Sequence, residues 1–256
     1  MYPTLFISHG APNVVLYESN TIKNFKEFSK RLKRPEFIII FSAHYLSDEL
    51  KIIDYSSNDL LYDFYGFEQE LYEFEFDIKS DKQITLEIMK HLMNKNINIE
   101  IDKNKTSYDH GVWTTLAMLY STLDIPVIQL SIPVSYTPKQ LIKLGESLQD
   151  FKNRALVIAS GGITHNLRDI SSSSTIKSYA QKFNEHIVNI ISQGNENELL
   201  DSLRHKLFIK NHPTNEHFLP LLIAFGNAID KQGVSFNSEI VYTNISMESF
   251  VFDLKQ

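Results

Sequence analysis

The hydrophobic positions of this chain fall into short unbroken runs separated by longer amphipathic stretches. Leu5-Phe6-Ile7 runs into Ser8-His9-Gly10-Ala11-Pro12, and Phe37-Ile38-Ile39-Ile40-Phe41 runs into Ser42-Ala43-His44. Residues 125–132, with Pro126 near the start and Pro133 just beyond the end, predict another compact strand, and 155–160 a further one that runs into Gly161-Gly162. An unbroken β-branched and aromatic run of this length predicts a strand buried on both faces, as in a parallel sheet. Between the runs the period changes: Ile22, Phe25, Phe28 and Leu32 share one helical face, and residues 82–96, 138–151, 179–191 and 196–205 also read as helices. Residues 112–121 predict another, entered from Tyr108-Asp109-His110-Gly111 with Asp109 as its N-cap, and Thr214 is the expected N-cap of a helix holding His217 in its first turn. Residues 50–55 and 97–101 are shorter strands, and 239–243 with 249–252 read as an edge hairpin. The alternation of strand and helix predicts an α/β fold, one domain over residues 1–256 with a mostly parallel central sheet flanked by helices.

Composition narrows the class. Hydrophobic residues at 43% and charged residues at 22% suit a globular protein rather than a disordered or fibrous one. The net charge of −6, with no basic run, argues against nucleic acid as a partner. No apolar run reaches the length of a membrane span and no signal-peptide pattern opens the chain, so the expectation is a cytoplasmic protein without a membrane partner. Cysteine is absent, which leaves histidine and carboxylate as the only donors for a metal. The aromatic segment Tyr62-Asp63-Phe64-Tyr65-Gly66-Phe67 supports two readings, a cap on the core or the wall of a pocket for a planar ligand.

Of the nine histidines, His91, His186 and His205 sit inside helical patterns and read as ordinary packing or surface residues. His9, His44 and His165 each follow a predicted strand, and parallel strands present their carboxyl ends on one edge, where open α/β sheets form clefts. Three protein ligands with open positions make a catalytic rather than a structural metal site, and imidazoles suit Zn(II), Fe(II), Ni(II) or Cu(II). Zinc would activate water, whereas iron would use its open positions for substrate and dioxygen.

Taken together, Ser8-His9-Gly10-Ala11-Pro12, Ser42-Ala43-His44, Tyr62-Asp63-Phe64-Tyr65-Gly66-Phe67, Asp109-His110-Gly111, Gly161-Gly162-Ile163-Thr164-His165-Asn166-Leu167 and His212-Pro213-Thr214-Asn215-Glu216-His217-Phe218-Leu219-Pro220-Leu221 resemble the class III extradiol ring-cleavage dioxygenases, the LigB superfamily. The pattern is most similar to the branch of plant DOPA extradiol dioxygenases and their single-chain bacterial relatives, and the motifs follow the family's order from residue 5 to residue 222. The resemblance implies O₂-dependent cleavage of a catechol, DOPA-like in this branch, next to the diol. It implies one non-haem divalent metal, Fe(II) for activity, with Zn(II) as an ion retained on isolation. His9, His44 and His217 would hold it, His165 would be the acid/base and a candidate fourth ligand, and His110 would act beside the substrate. Asp109, Tyr65 and His212 would contact the substrate. Protocatechuate-cleaving members place a glutamate as third ligand where this chain has His217, a departure that leaves iron versus zinc open. Some family members need a second subunit and the single-chain branch does without one, so that need and the oligomeric state both stay open. Two other readings remain: a zinc-dependent hydrolase on the same scaffold, and a Memo-like binding protein without enzyme activity.

Overall fold

The computed structural model describes residues 1–254; residues 255–256 of the expected domain lie outside the described residues. Eight strands form one sheet: β1 Thr4–Ser8, β2 Phe37–Ser47, β3 Lys51–Ile53, β4 Glu100–Asp102, β5 Val127–Pro133, β6 Ala155–Gly161, β7 Gly233–Asn237 and β8 Ser249–Phe252. Their order is β4-β3-β5-β2-β6-β1-β8-β7. The four central strands, β5, β2, β6 and β1, are parallel. Every residue of β1, β5 and β6 is buried; β1 and β6 read as apolar runs, and in β5 the interior Gln129 and Ser131 are hydrogen-bonded to Asp109 and Ser47. Antiparallel neighbours flank this core, β3 against β5 on one side and β8 then β7 beside β1 on the other.

Successive residues of a strand point to opposite faces, so each central strand feeds two cores. Phe6, Ile39 and Phe41 face one, with α2 (Lys82–Asn94), α4 (Pro138–Ser147), α5 (Ser178–Gln193) and α6 (Leu219–Asn227) packed over them. Leu5, Ile7, Ile38 and Ile40 face the other, under α1 (Asn20–Ser29) and α3 (His110–Leu119). The expected α/β architecture is therefore realised as a three-layer sandwich with helices on both faces. No helix among the described residues is long and apolar enough to cross a membrane.

Several expected elements take a different form. Strand β2 does not stop at His44 but continues to Ser47: Phe41 pairs with Leu130 and Leu46 with Ile132, so five residues of β2 pass against two of β5. Such a bulge re-aims the side chains within it, and His44 is one of them. The expected edge hairpin is not formed. Ser249–Phe252 lies inside the sheet between β1 and the unforeseen edge strand β7, while Ile240–Val241 pairs with Ile245–Ser246 in a separate ribbon. Residues 196–205 split into a short helix, Glu196–Asp201, and a 3₁₀ turn, Ser202–Arg204. Thr214 caps nothing: α6 begins at Leu219, His217 lies in the turn before it, and the Thr214 hydroxyl donates to Glu216 instead.

Candidate functional site

Five imidazoles meet at the carboxyl edge of the central strands. His9 follows β1, His44 sits in the β2 bulge, His110 is the first residue of α3, His165 lies in the loop after β6 and His217 in the turn before α6. Two glycines let the backbone close around them. Gly10 takes φ +65°, and a Cβ there would lie 2.4 Å from Met247 Sδ. A Cβ on Gly161 would lie 2.2 Å from the His217 carbonyl oxygen, which accepts the Gly162 N–H at 2.8 Å, so the turn carrying His217 rests directly on the end of β6.

The rings of His9, His44 and His217 form a nearly equilateral triangle, with centroids 5.1, 5.0 and 5.3 Å apart. His9 and His44 bring their Nε2 atoms within 3.2 Å of each other. His110 packs 3.9 Å from His44, and His165 stacks on His217 at 3.5 Å with 9° between the planes. Donor atoms of His9, His44 and His110 lie within 4.8 Å of one another, as do those of the adjoining group His165, Glu216 and His217.

The other ring nitrogens are tied back. His9 Nδ1 bonds to Ser160 Oγ at 2.8 Å, His217 Nδ1 to Glu216 Oε1 at 3.0 Å and His110 Nδ1 to Asp63 Oδ1 at 2.8 Å. The second Asp63 oxygen stands 3.6 Å from His44 Nδ1, so one carboxylate addresses two of the imidazoles. Holding Nδ1 in this way orients a ring and presents Nε2. His217 Nε2 is buried and has no hydrogen-bond partner among the described residues, a costly state for a polar atom unless something else binds it.

Burial, then the crowding of neighbouring imidazoles, depresses His9 and His217 well below the usual histidine pKa. His44 is lowered to about 4 by burial and then by His110, and His165 to about 4 by burial and then by His212. All four are therefore neutral near pH 7, the form that binds a metal. Burial pushes the Asp63 carboxyl up, but its hydrogen bonds from the His110 ring and backbone N–H outweigh it and leave the group at about 2. The donor set, uncharged nitrogens with one buried lone pair unclaimed, fits a divalent metal.

A cavity of about 680 Å³ opens on this cluster, within the usual range of small-molecule sites. Phe64, Tyr65, Phe67 and Tyr242 line it together with Leu167 and Ile170. The aromatic segment both packs on the core and lines the cavity: Tyr62 and Phe64 lie 6.0 and 6.1 Å from Trp113, whereas Tyr65, 92% exposed, stands at the mouth.

Of the residues singled out in the sequence, His44, His110, His165, His217 and Tyr65 line the cavity, and His9 lies just beneath, its ring against His44 and His217. Two expected substrate contacts are placed elsewhere. His212 is buried among Phe208 and Phe218 and bonds through Nε2 to the Ile163 carbonyl, so it braces the loop below the cavity. Asp109 is fully buried and accepts hydrogen bonds from Ser42 (2.5 Å), Gln129 (2.6 Å) and Lys105 (3.2 Å). Its side chain does not cap α3 either; Asp63 takes the His110 N–H at 3.0 Å. Asp63, Glu216 and Ser160 are the functional neighbours that sequence reasoning passed over. The first two sit inside quoted motifs, an acid beside an aromatic run and an acid beside a histidine, whereas nothing in the sequence marks Ser160.

The family model described as the catalytic LigB subunit of aromatic ring-opening dioxygenase matches residues 3–252. The chain is 30% identical over 230 residues to the 4,5-DOPA dioxygenase extradiol of Escherichia coli K12, covering 88% of this chain and 84% of that protein. It is 31% identical over 253 residues to a 4,5-DOPA dioxygenase extradiol-like protein of Schizosaccharomyces pombe, with the same coverage. A crystal structure of an uncharacterized Escherichia coli K12 protein superposes with a TM-score of 0.84 at 27% identity, over 98% of this chain and 100% of that one.

Proposed function

The chain belongs to the LigB family of aromatic ring-opening dioxygenases, and from that premise we propose that it cleaves catechols at the five-histidine cluster, with His9, His44 and His217 as the metal ligands. As a family member it is a metal-dependent extradiol dioxygenase. The observation that carries the residue assignment is the triangle of neutral imidazoles at the cavity, closed by a buried His217 Nε2 with no hydrogen-bond partner among the described residues. Fe(II) is the proposed ion, and when bound it supplies the electron transfer that lets a spin-paired ring react with O₂.

The protein's own part is orientation and proton transfer. Ser160 and Glu216 hold the Nδ1 atoms of His9 and His217, so that Nε2 of each is the donor. The aromatic walls receive a planar ring, and the burial that keeps His165 neutral makes its imidazole an acceptor for the proton of a catechol hydroxyl. His165 returns that proton as the ring carbon–carbon bond beside the diol breaks and both oxygen atoms enter the product, a semialdehyde acid. Asp63 holds Nδ1–H of His110, which leaves His110 Nε2 to accept from the substrate.

The test is direct. Protein loaded anaerobically with Fe(II), its occupancy measured by metal analysis, should consume O₂ with a catechol and give a yellow ring-opened product. Occupied protein that cleaves no member of a broad catechol panel would sink the proposal. Dependence on O₂ also separates this chemistry from the zinc-hydrolase and Memo-like readings, neither of which any feature of the site favours.

A further inference from the structure

The cavity is larger than one ring requires, since a benzene-sized ligand fits a cavity of about 150 Å³ and this one offers about 680 Å³. Its lining changes character along its depth. The imidazoles, with Asp63 and Glu216 bonded to two of them, make up the metal end. Every other lining residue is apolar or aromatic, and Tyr65, Leu167, Ile170 and Tyr242 form an outer collar in which each is 45% exposed or more. Large apolar side chains gathered in the open around one cavity mark a binding surface. The collar is also braced. The loop after β6 is stapled to the ribbon that carries Tyr242: Thr164 Oγ1 donates to the Asn244 carbonyl (2.7 Å), Asn244 Nδ2 to the Asn166 carbonyl (2.8 Å) and the Ser171 N–H to the Tyr242 carbonyl (3.1 Å). The segment bearing Tyr65 and Phe67 has its own tether, because the next residue, Glu68, accepts from the Tyr17 hydroxyl and the Asn13 amide. These walls are set before any ligand arrives.

A catechol that presents its two oxygens to the metal end carries its C4 substituent on the far side of the ring, toward the open mouth. We propose that the collar is a subsite for an apolar substituent at that position, with Leu167 and Ile170 as the side chains that set the preference. Covering them removes apolar surface from water, so affinity grows with the apolar length of the substituent. The inference rests on the ring-cleavage reading and extends its substrate class. DOPA, which the names of the relatives carry, is not excluded, since an ionic head at an open mouth keeps its water.

Catechols carrying methyl, propyl or pentyl at C4 vary apolar length at constant charge. With the iron-loaded protein, kcat/KM should rise by about twofold for each added methylene, the factor for burying half of it, and so by about sixteenfold from methyl to pentyl, with kcat little changed. Anaerobic calorimetric titration of the same three should give the same ranking in Kd without turnover. In the double variant Leu167→Ser with Ile170→Ser, its folding checked by thermal unfolding and its iron content by metal analysis, the pentyl-to-methyl ratio should shrink to about fourfold or less. Ile176→Ser, which trims a similarly exposed isoleucine outside the cavity lining, should keep the parental ratio. Cleavage of all three with no dependence on chain length, a ratio that survives the double substitution, or one that falls as far with Ile176→Ser would overturn this inference and leave the dioxygenase reading standing. A Kd that improves with chain length and loses that trend in the double variant, without cleavage of any of the three, would keep the subsite and sink the ring-cleavage reading alone. Neither cleavage nor binding of any of the three would overturn both.

Discussion

Gly161→Ala tests how the fold delivers His217. The new Cβ would sit 2.2 Å from the His217 carbonyl oxygen and 3.0 Å from Pro220 Cγ, against a floor of 3.0 Å for real Cβ contacts. The carbonyl must retreat by about 0.8 Å, and Pro220 hems in that retreat. The 2.8 Å hydrogen bond from Gly162 to the same carbonyl stretches with it. Overpacking of this kind costs about 1–3 kcal/mol, which for a domain of this size lowers Tm by roughly 2–12 °C. The imidazole of His217 moves with its backbone, and a ligand displaced by most of an ångström should weaken metal binding by about 10–100-fold, the scale seen when a ligand's orienting contacts are lost. Gly162→Ala is the control one residue on, because its Cβ would meet nothing closer than 3.8 Å and should change stability by no more than about 0.5 kcal/mol. Thermal unfolding of the metal-free proteins and competition with a chelator read the two effects separately. If Gly161→Ala melts and binds metal like the parent, or if Gly162→Ala is equally damaged, the strand end does not position His217.

Two other expectations follow from the same geometry. Removing an imidazole of the triangle, in His9→Ala or His44→Ala, should abolish metal retention after dialysis, whereas His165→Ala should keep much of the metal and lose turnover; equal metal loss in all three would make His165 a ligand. Asp109→Asn leaves Lys105 without its carboxylate and perturbs the bonds to Ser42 and Gln129, so urea unfolding should report a loss of about 1–3 kcal/mol with KM for a catechol little changed, and a large rise in KM without destabilisation would return Asp109 to the substrate.

Much of the scaffold is legible because burial on both faces writes an unmistakable pattern. The central strands β1, β5 and β6 are buried on both sides, and β1 and β6 are mostly apolar along their length. The peripheral strands carry no such mark. Gly233–Asn237 is a half-exposed edge and Ser249–Phe252 is fully buried, yet both are short mixed runs whose place depends on which neighbour pairs with them. The β2 bulge is equally silent, because register is a property of two strands and not of one.

The sequence alone determined the α/β class, the four central strands, the donor chemistry limited to histidine and carboxylate, and the edge on which the histidines must gather, since parallel strands end together. Which polar side chains face the cavity was decided only by packing. Asp109 shares a motif with His110 and His212 shares one with His217, but the folded chain commits the first pair to Ser42, Lys105 and a buried carbonyl. It also recruits Asp63, whose selection depends on a loop 47 residues away from His110 in the chain meeting it, and Glu216, the sequence neighbour of His217. Local pattern reports how much of an element is buried; the direction of a side chain in a turn is fixed by contacts with residues far away in the chain.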